Sequence, residues 1–411
     1  MPVATSDLSL KKSAVNSDVA AQNGGRLTDT TVTASLFPDV TGLERVAGLT
    51  RYRKVFIKNE AGTGTLPWKY ADASLTLLSG KAFMENFSAA GDAFLIKAGT
   101  PTDVQSGVVN SGWSGTGYLD SDIAANATSL QVRVEGNGST GEYFQVGGVL
   151  LISDYLNGTG NREFLTIDSV SWAGAVATIG FSGTPVQYAY SKNALASDTY
   201  ADPAYVTSTT IGSPLAGMTS DANVGRRVHI KSGTGSGQWR RITANTTSTI
   251  TVEYAWTTTP DATSVFEIVK TNVCMCVSLG DVGCAYNTVV KTSASGTFTP
   301  ANNLKLFPVG TRDESWTLLF SSSTAFSITG AYIGNVAGSY NVNGAASPAN
   351  GSSYHFQIAT GAWGGTFQAG DTVTFNTVSA SKSIWIKETV PAACTPHLAN
   401  SVDIGVSGDT V

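Results

Sequence analysis

Residues 249–256 (TITVEYAW) constrain this chain more than any other stretch. Apolar Ile250, Val252, Tyr254 and Trp256 occupy every second position. Side chains of an extended strand point alternately to opposite faces, so strict alternation reads as a strand buried on one side. A helix would spread the same four residues around its circumference. Runs of the same kind recur at 129–135, 143–149, 149–153, 163–168, 175–181, 227–231, 238–243 and 264–270. Turn residues separate them, chiefly Gly, Asn, Asp and Ser.

Composition points the same way. The 411 residues include 44 Gly, and 13% are charged, well below the roughly 25% of an ordinary domain. Ser, Thr, Asn and Gly take up the difference, which suits strands and turns and leaves little for helices. Apolar residues make up 42%, enough for a packed core. The expected fold is mainly β: several small β-barrel or β-sandwich modules in tandem, with an extended N-terminal arm and little helix. A net charge of -5 argues against a nucleic-acid partner, which needs a basic footprint. No apolar run approaches the ~18 residues that span a membrane, so no membrane partner is expected. Residues 1–18 hold no apolar signal core. The chain is therefore expected to be made in a cytoplasm and to leave by lysis or inside a particle.

At about 150 residues per domain, the length allows roughly two to four. Residues 1–40 read as an extended arm lying on a neighbour, with a turn at Asn23-Gly24-Gly25 and apolar anchors at Leu36, Phe37 and Pro38. Residues 41–117 read as a docking region. Thr41 and Glu44 have capping-box spacing for a short helix to Ala47. Residues 51–59 follow as a strand, with further strands at 74–78 and 93–97. The strand at 51–59 carries Arg51, Arg53, Lys54 and Lys58, the most basic patch of the chain. Such a run is either a solvated face that discourages edge pairing or a contact for an acidic protein neighbour.

Residues 118–190 and 205–271 read as one small β-module used twice. Each runs strand, Gly-Thr-Gly turn, strand, short turn, strand, Thr-Pro, with the turns at Gly158-Thr159-Gly160 and Gly233-Thr234-Gly235. The stretch 191–214 reads as a linker. Residues 272–411 read as a C-terminal β-sandwich, with strands at 316–320, 325–329, 354–358, 371–377 and 383–388.

Motifs for chemistry are sparse. Gly136-Asn137-Gly138-Ser139-Thr140-Gly141 fits G-x-G-x-x-G, but a strand-like run follows it where a dinucleotide site needs a helix N-terminus. Gly233–Gly237 lacks the Gly-Lys-Ser/Thr ending of a phosphate loop. His229, His355 and His397 have no nucleophile motif beside them. Cys274, Cys276 and Cys284 read first as buried free thiols; a disulfide among them and a zinc site with His397 are the alternative readings. Asp313-Glu314 is the one adjacent carboxylate pair considered for glycoside hydrolysis, and its setting reads as a solvated loop. Trp113, Trp172, Trp239 and Trp363 serve either as sugar platforms or as core anchors, with Trp239 the first glycan-contact candidate. No enzymatic activity and no cofactor are expected.

Two strings carry a resemblance. The first is NGGRLTDTTVTASLFPDVTGLERVAGLTRYRKVFIKN near the N-terminus. The second runs through WTLLFSSSTAFSITGAYIGNVAG, GAWGGTFQAGDTVTFNT and SIWIKETVPA. Together they resemble structural proteins encoded in the late gene clusters of tailed bacteriophages. The phrase SGTGSGQWRRITANTTSTITVEYAWTTTPDATSVFEI is similar to a small β-module found in phage fibres and other virion proteins. The resemblance covers about a third of the chain. It implies a non-enzymatic virion structural protein held by subunit contacts, working as a symmetric homo-oligomer among other virion proteins. Tail, tail tip or baseplate is the first expectation for its position. Head decoration or a minor capsid role is the alternative, and a receptor- or carbohydrate-binding module touching host glycans is the second.

Overall fold

The structure, a computed structural model, describes residues 7–33, 36–61, 77–87, 93–98, 105–108, 115–134, 144–156, 158–181, 183–194, 200–280, 282–390, 392 and 402–410. The protein is mainly β, with 48% strand, 4% helix and several antiparallel sheets, and among the described residues no sheet closes into a barrel. From the N-terminus come β1 (Leu8–Ser13), β2 (Leu27–Thr31), α1 (Gly42–Ala47), β3 (Leu49–Asn59), β4 (Leu77–Phe87), β5 (Ala93–Ala98) and the one-turn α2 (Gln105–Val108). The middle of the chain supplies β6 (Thr116–Leu119), β7 (Ser129–Arg133), β8 (Val149–Ser153), β9 (Arg162–Thr166), β10 (Ser169–Ala173) and β11 (Val176–Gly180). Then follow β12 (Tyr200–Ala201), β13 (Tyr205–Thr207), β14 (Thr210–Gly212), β15 (Arg227–Ser232), β16 (Trp239–Asn245), β17 (Thr249–Val252), β18 (Val265–Val269) and β19 (Asn272–Gly280). The C-terminal part begins with β20 (Ala285–Thr292), β21 (Thr297–Phe298), β22 (Leu304–Lys305), β23 (Glu314–Phe320), β24 (Ala325–Gly330) and β25 (Gly334–Asn341). It ends with β26 (Ala349–Asn350), β27 (Ser353–Tyr354), β28 (Gln357–Ile358), β29 (Trp363–Gly364), β30 (Thr372–Val378), β31 (Ser381–Val390) and β32 (Val402–Thr410).

The two ends of the chain fold together. One sheet runs β2-β1-β3-β31-β5, and β3 pairs with β31 from Leu49↔Val390 to Lys58↔Ser381. The last strand, β32, pairs with β4. Val55 and Ile57 of β3, Val277 and Leu279 of β19, and Ile384 and Ile386 of β31 share one apolar cluster. We call this the hub. It corrects two expectations. Residues 8–13 and 27–31 of the expected arm lie on their own chain, because β1 pairs with β3 from Leu8↔Asn59 to Lys12↔Val55 and β2 pairs with β1. The region 272–411 is not one sandwich, because β31 and β32 leave it to pair with N-terminal strands.

The middle of the chain repeats one pattern of strand pairing. In the first module, β6 pairs with β7 and β19, β19 with β8, β8 with β9, and β10 with β11, which returns to β7. The path's two ends, β9 and β10, are consecutive pieces of one segment bent at Ile167-Asp168. The second module runs β12-β18-β15-β16-β17-β14-β13. Its β16 does the work of β9 and β10 in one strand, and β12 with β13 does the work of β6. Each module has its own core: Leu130, Val132, Leu150, Ile152 and Ile179 in the first, Ile211, Val228, Ile242, Ile250 and Phe266 in the second. The stretch read as a linker, 191–214, thus contains strands, and Tyr200 and Ile211 pin it into the second core. The alternating run at 249–256 is strand only to Val252. Trp256 is nevertheless buried, and its indole Nε1 donates to the Thr210 carbonyl at 3.4 Å.

The C-terminal unit is a five-stranded sheet, β20-β30-β23-β24-β25, covered on one face. Along β23, Glu314, Trp316, Leu318 and Phe320 point inward, and Ser315, Thr317 and Leu319 point out. The inward set packs on Leu304, Phe356, Ile358 and Phe367 from the short ladders β22–β28, β21–β29 and β26–β27 and their loops. Buried His355 lies against the Trp316 ring at 5.0 Å. Burial, with help from the Arg312 charge, pushes its imidazole down from 6.5 to about 4. As pH falls, the unfolded chain takes up this proton before the folded one does. The contribution of the neutral ring is therefore complete above about 6.5 and is lost as pH falls toward 4. Urea unfolding of the C-terminal unit should weaken across that window, and His355→Gln should flatten the pH dependence. An unchanged slope in the variant would assign the acid sensitivity elsewhere.

Candidate subunit interface

The residues expected to face a neighbour turn inward. β3 lies between β1 and β31, and Arg51, Arg53, Lys54 and Lys58 are all buried. A buried cation must be paired or hydrogen-bonded, and each has its partners within this chain. Arg51 donates through Nε to Glu388 Oε2 at 2.6 Å and through Nη2 to the Pro38 carbonyl at 2.8 Å. Arg53 donates through Nη1 to Asp18 Oδ1 at 2.6 Å and to the Ser17 carbonyl at 3.0 Å. The Lys54 ammonium donates to the Asn23 carbonyl at 2.9 Å and sits over the Trp385 ring. Lys58 donates to the Val309 carbonyl at 3.0 Å, with Glu60 at 3.7 Å. Burial lowers the Lys58 pKa, and Glu60 offsets part of that. The reading as a solvated face is therefore corrected, and the acidic partners are Glu388, Asp18 and Glu60 of the same chain. Leu36 and Phe37 pack against the hub, and the Arg51 and Arg53 guanidiniums lie over the Phe37 ring at 5.9 and 5.4 Å. Pro38 is exposed.

What this clamp holds outward is α1. Thr41 caps it as its spacing predicts: its side chain accepts from the Glu44 amide, and the Glu44 carboxylate accepts from the Thr41 amide at 2.7 Å. These hydrogen bonds, with the Arg51 charge, hold the exposed Glu44 carboxyl below its usual range. At the other end Gly48 has φ +78, and a Cβ there would stand 3.1 Å from the Ala392 amide nitrogen and 3.3 Å from the Val390 carbonyl. A six-residue helix has no stability of its own in water. Its capping box fixes the start of this one, and the backbone turn at Gly48 ends it. None of its residues is buried, and Leu43 and Val46 are 84% and 72% exposed. They stand three residues apart, on one side of the helix. Exposed Val15 and Val19 lie in the β1–β2 loop, whose Asp18 is close enough to act on Glu44. The sequence carried a signal for this pair: two apolar residues at helical spacing directly after a capping box. The reading gave the anchor role to Leu36 and Phe37 instead.

The remaining candidates are structural or lie outside the described residues. Trp239 is buried, stacked on His229 at 3.9 Å and tilted against Tyr118 of the first module at 4.8 Å. No face is left for a glycan, so that expectation is corrected. His229 Nδ1 is 2.9 Å from Glu267 Oε1, and Lys192 is 3.4 Å from the other oxygen. Burial pushes the Glu267 carboxyl up, but His229 and Lys192 outweigh it and leave it lowered. Cys274 and Cys276 of β19 share a buried apolar cluster with Leu151 of β8. Cys284 lies apart, near Thr311 and Ala380, with its thiol pushed up to about 12 by burial. His397 and the motif at 136–141 lie outside the described residues, as does Trp113. Among the described residues no group of three His, Cys, Asp or Glu is placed to hold a metal. Asp313 accepts from the Ser379 amide, and Glu314, buried rather than looped, accepts from the Tyr332 and Ile333 amides. Both are spent on backbone. Trp172 and Trp363 pack against the module and C-terminal cores.

A scan against protein-family models finds no match, and a search of curated proteins finds none.

Proposed function

We propose that this chain is a non-enzymatic structural subunit of a tailed-bacteriophage particle, made in the host cytoplasm and released by lysis. The hub would seat it on a neighbouring virion protein, and the modules would project from that seat. The observation that carries the reading is α1. A helix closed at its N-terminus by a capping box and burying none of its own residues adds nothing to the core of the isolated fold. Its exposed apolar pair, Leu43 and Val46, suits the apolar centre of a subunit contact. The sequence resemblance supplies the particle. Repeated small β-modules favour the tail or its tip over the head.

Quantitative mass spectrometry of purified particles, scaled to the major capsid protein, tests this. A few copies per particle supports the tail tip, and hundreds would move the chain to the head. Absence from purified particles overturns the proposal.

A further inference from the structure

We propose that two copies of this chain meet face to face through the outward surface of the sheet β20-β30-β23-β24-β25. The purpose of that contact rests on the structural-subunit reading, but its test uses the purified chain, so either can fail alone.

The inward face of this sheet is filled and the outward face is bare. Along β23 the outward positions are Ser315, Thr317 and Leu319; along β30 they include Thr372, Thr374 and Asn376. The register sets Thr317 beside Thr329 on one side and Thr374 on the other, with Val290 beyond. Every other outward position on the five strands is Ala, Val, Ser, Thr or Asn, so the face carries no formal charge. Leu319 and Val290 on it are 46% and 52% exposed. Depletion of charge is the compositional mark of an interface centre.

The chemistry of the face selects the occupant. A two-fold contact sets a patch against its own copy, so the patch must complement itself. Hydroxyls and carboxamides both donate and accept, and they satisfy that condition. The chain as a whole carries -5, so copies repel in general, and a charge-free face is where their approach is least opposed. Edge-to-edge pairing is obstructed, because both edge strands are irregular. The β20 ladder shifts register between Asn287 and Val290, and the β24–β25 ladder shifts between Phe326 and Ile328. Five strands spaced ~4.8 Å apart, with seven residues rising ~3.3 Å each, give a footprint of about 550 Å². Two such faces bury about 1,100 Å², just above the ~1,000 Å² of a specific contact.

The experiment is sedimentation of the purified full chain over a range of concentrations, with Thr317→Lys/Thr374→Lys and Thr317→Glu/Thr374→Glu beside the wild type. Both sites are outward, so circular dichroism melts should match the wild type. The wild type should dimerise, each variant alone should sediment as a monomer, and an equal mixture of the two should dimerise again. Should the paired substitutions unfold the sheet, Ser327→Lys and Ser327→Glu on the neighbouring strand provide the same comparison. A wild type that stays monomeric throughout overturns the proposal. So do folded variants that dimerise like the wild type. A monomeric wild type that binds a glycan array through this face, with binding lost in the variants, gives the face to a carbohydrate and also overturns it.

Discussion

Replacing Arg51 with Ala should lower the unfolding free energy of the hub by about 3–5 kcal/mol, the range for breaking a buried ion pair from one side. The substitution leaves the buried Glu388 carboxylate without its guanidinium and takes from the Pro38 carbonyl its donor. It also removes one of the two cations over Phe37. Arg51 and Glu388 lie opposite each other in the β3–β31 register, so the damage falls where the two chain ends join. Desolvation offsets much of an intact pair's attraction, so Arg51→Met/Glu388→Leu should recover most of the loss. Urea unfolding of both variants measures this. A loss below about 1 kcal/mol for Arg51→Ala, the scale of an exposed pair, would mean that β3 is not the buried centre of the hub.

Trp316→Ala should have an effect of similar size in a different place. The indole is buried in the C-terminal unit, donates to Thr377 Oγ1 at 2.8 Å and meets the Phe356 ring edge-on. Truncating a large buried aromatic removes about 3–5 kcal/mol. The unit has its own core, so the loss should stay local. Amide hydrogen exchange should show faster exchange in β23, β24 and β30, while the β3–β31 ladder keeps its protection. Equal loss in both regions would join the C-terminal unit and the hub into one cooperative block.

Much of this architecture was legible locally. Alternation marks β7, β11, β23, β24 and β30, short apolar runs mark β8 and β31, the Thr41–Glu44 spacing marks α1, and the Gly-Thr-Gly phrases mark the repeat. What was illegible depends on distance along the chain. β3 reads as a half-exposed strand because its cations look solvated; the burial of Arg51 is explained by Glu388, 337 residues away, and that of Lys58 in part by the Val309 carbonyl. β1 and β2 are short and polar, and nothing near them in sequence announces that β3 will take them into a sheet. Alternation gives a residue's face but not what covers that face. Trp239 therefore read as available, although His229 and Tyr118 enclose it. Tyr254 continued a period that the backbone had already left at Val252. Leu43 and Val46 show the reverse error, since the arm drew attention away from the exposed pair that it supports.

The proposed subunit contact is made through α1. The most direct test is to supply Leu43→Glu/Val46→Glu chain during particle assembly and measure its incorporation into purified particles. Both side chains are exposed, so the variant should unfold at the wild-type urea concentration. This stable variant should be missing from particles or strongly depleted in them. Incorporation at the wild-type level would contradict it.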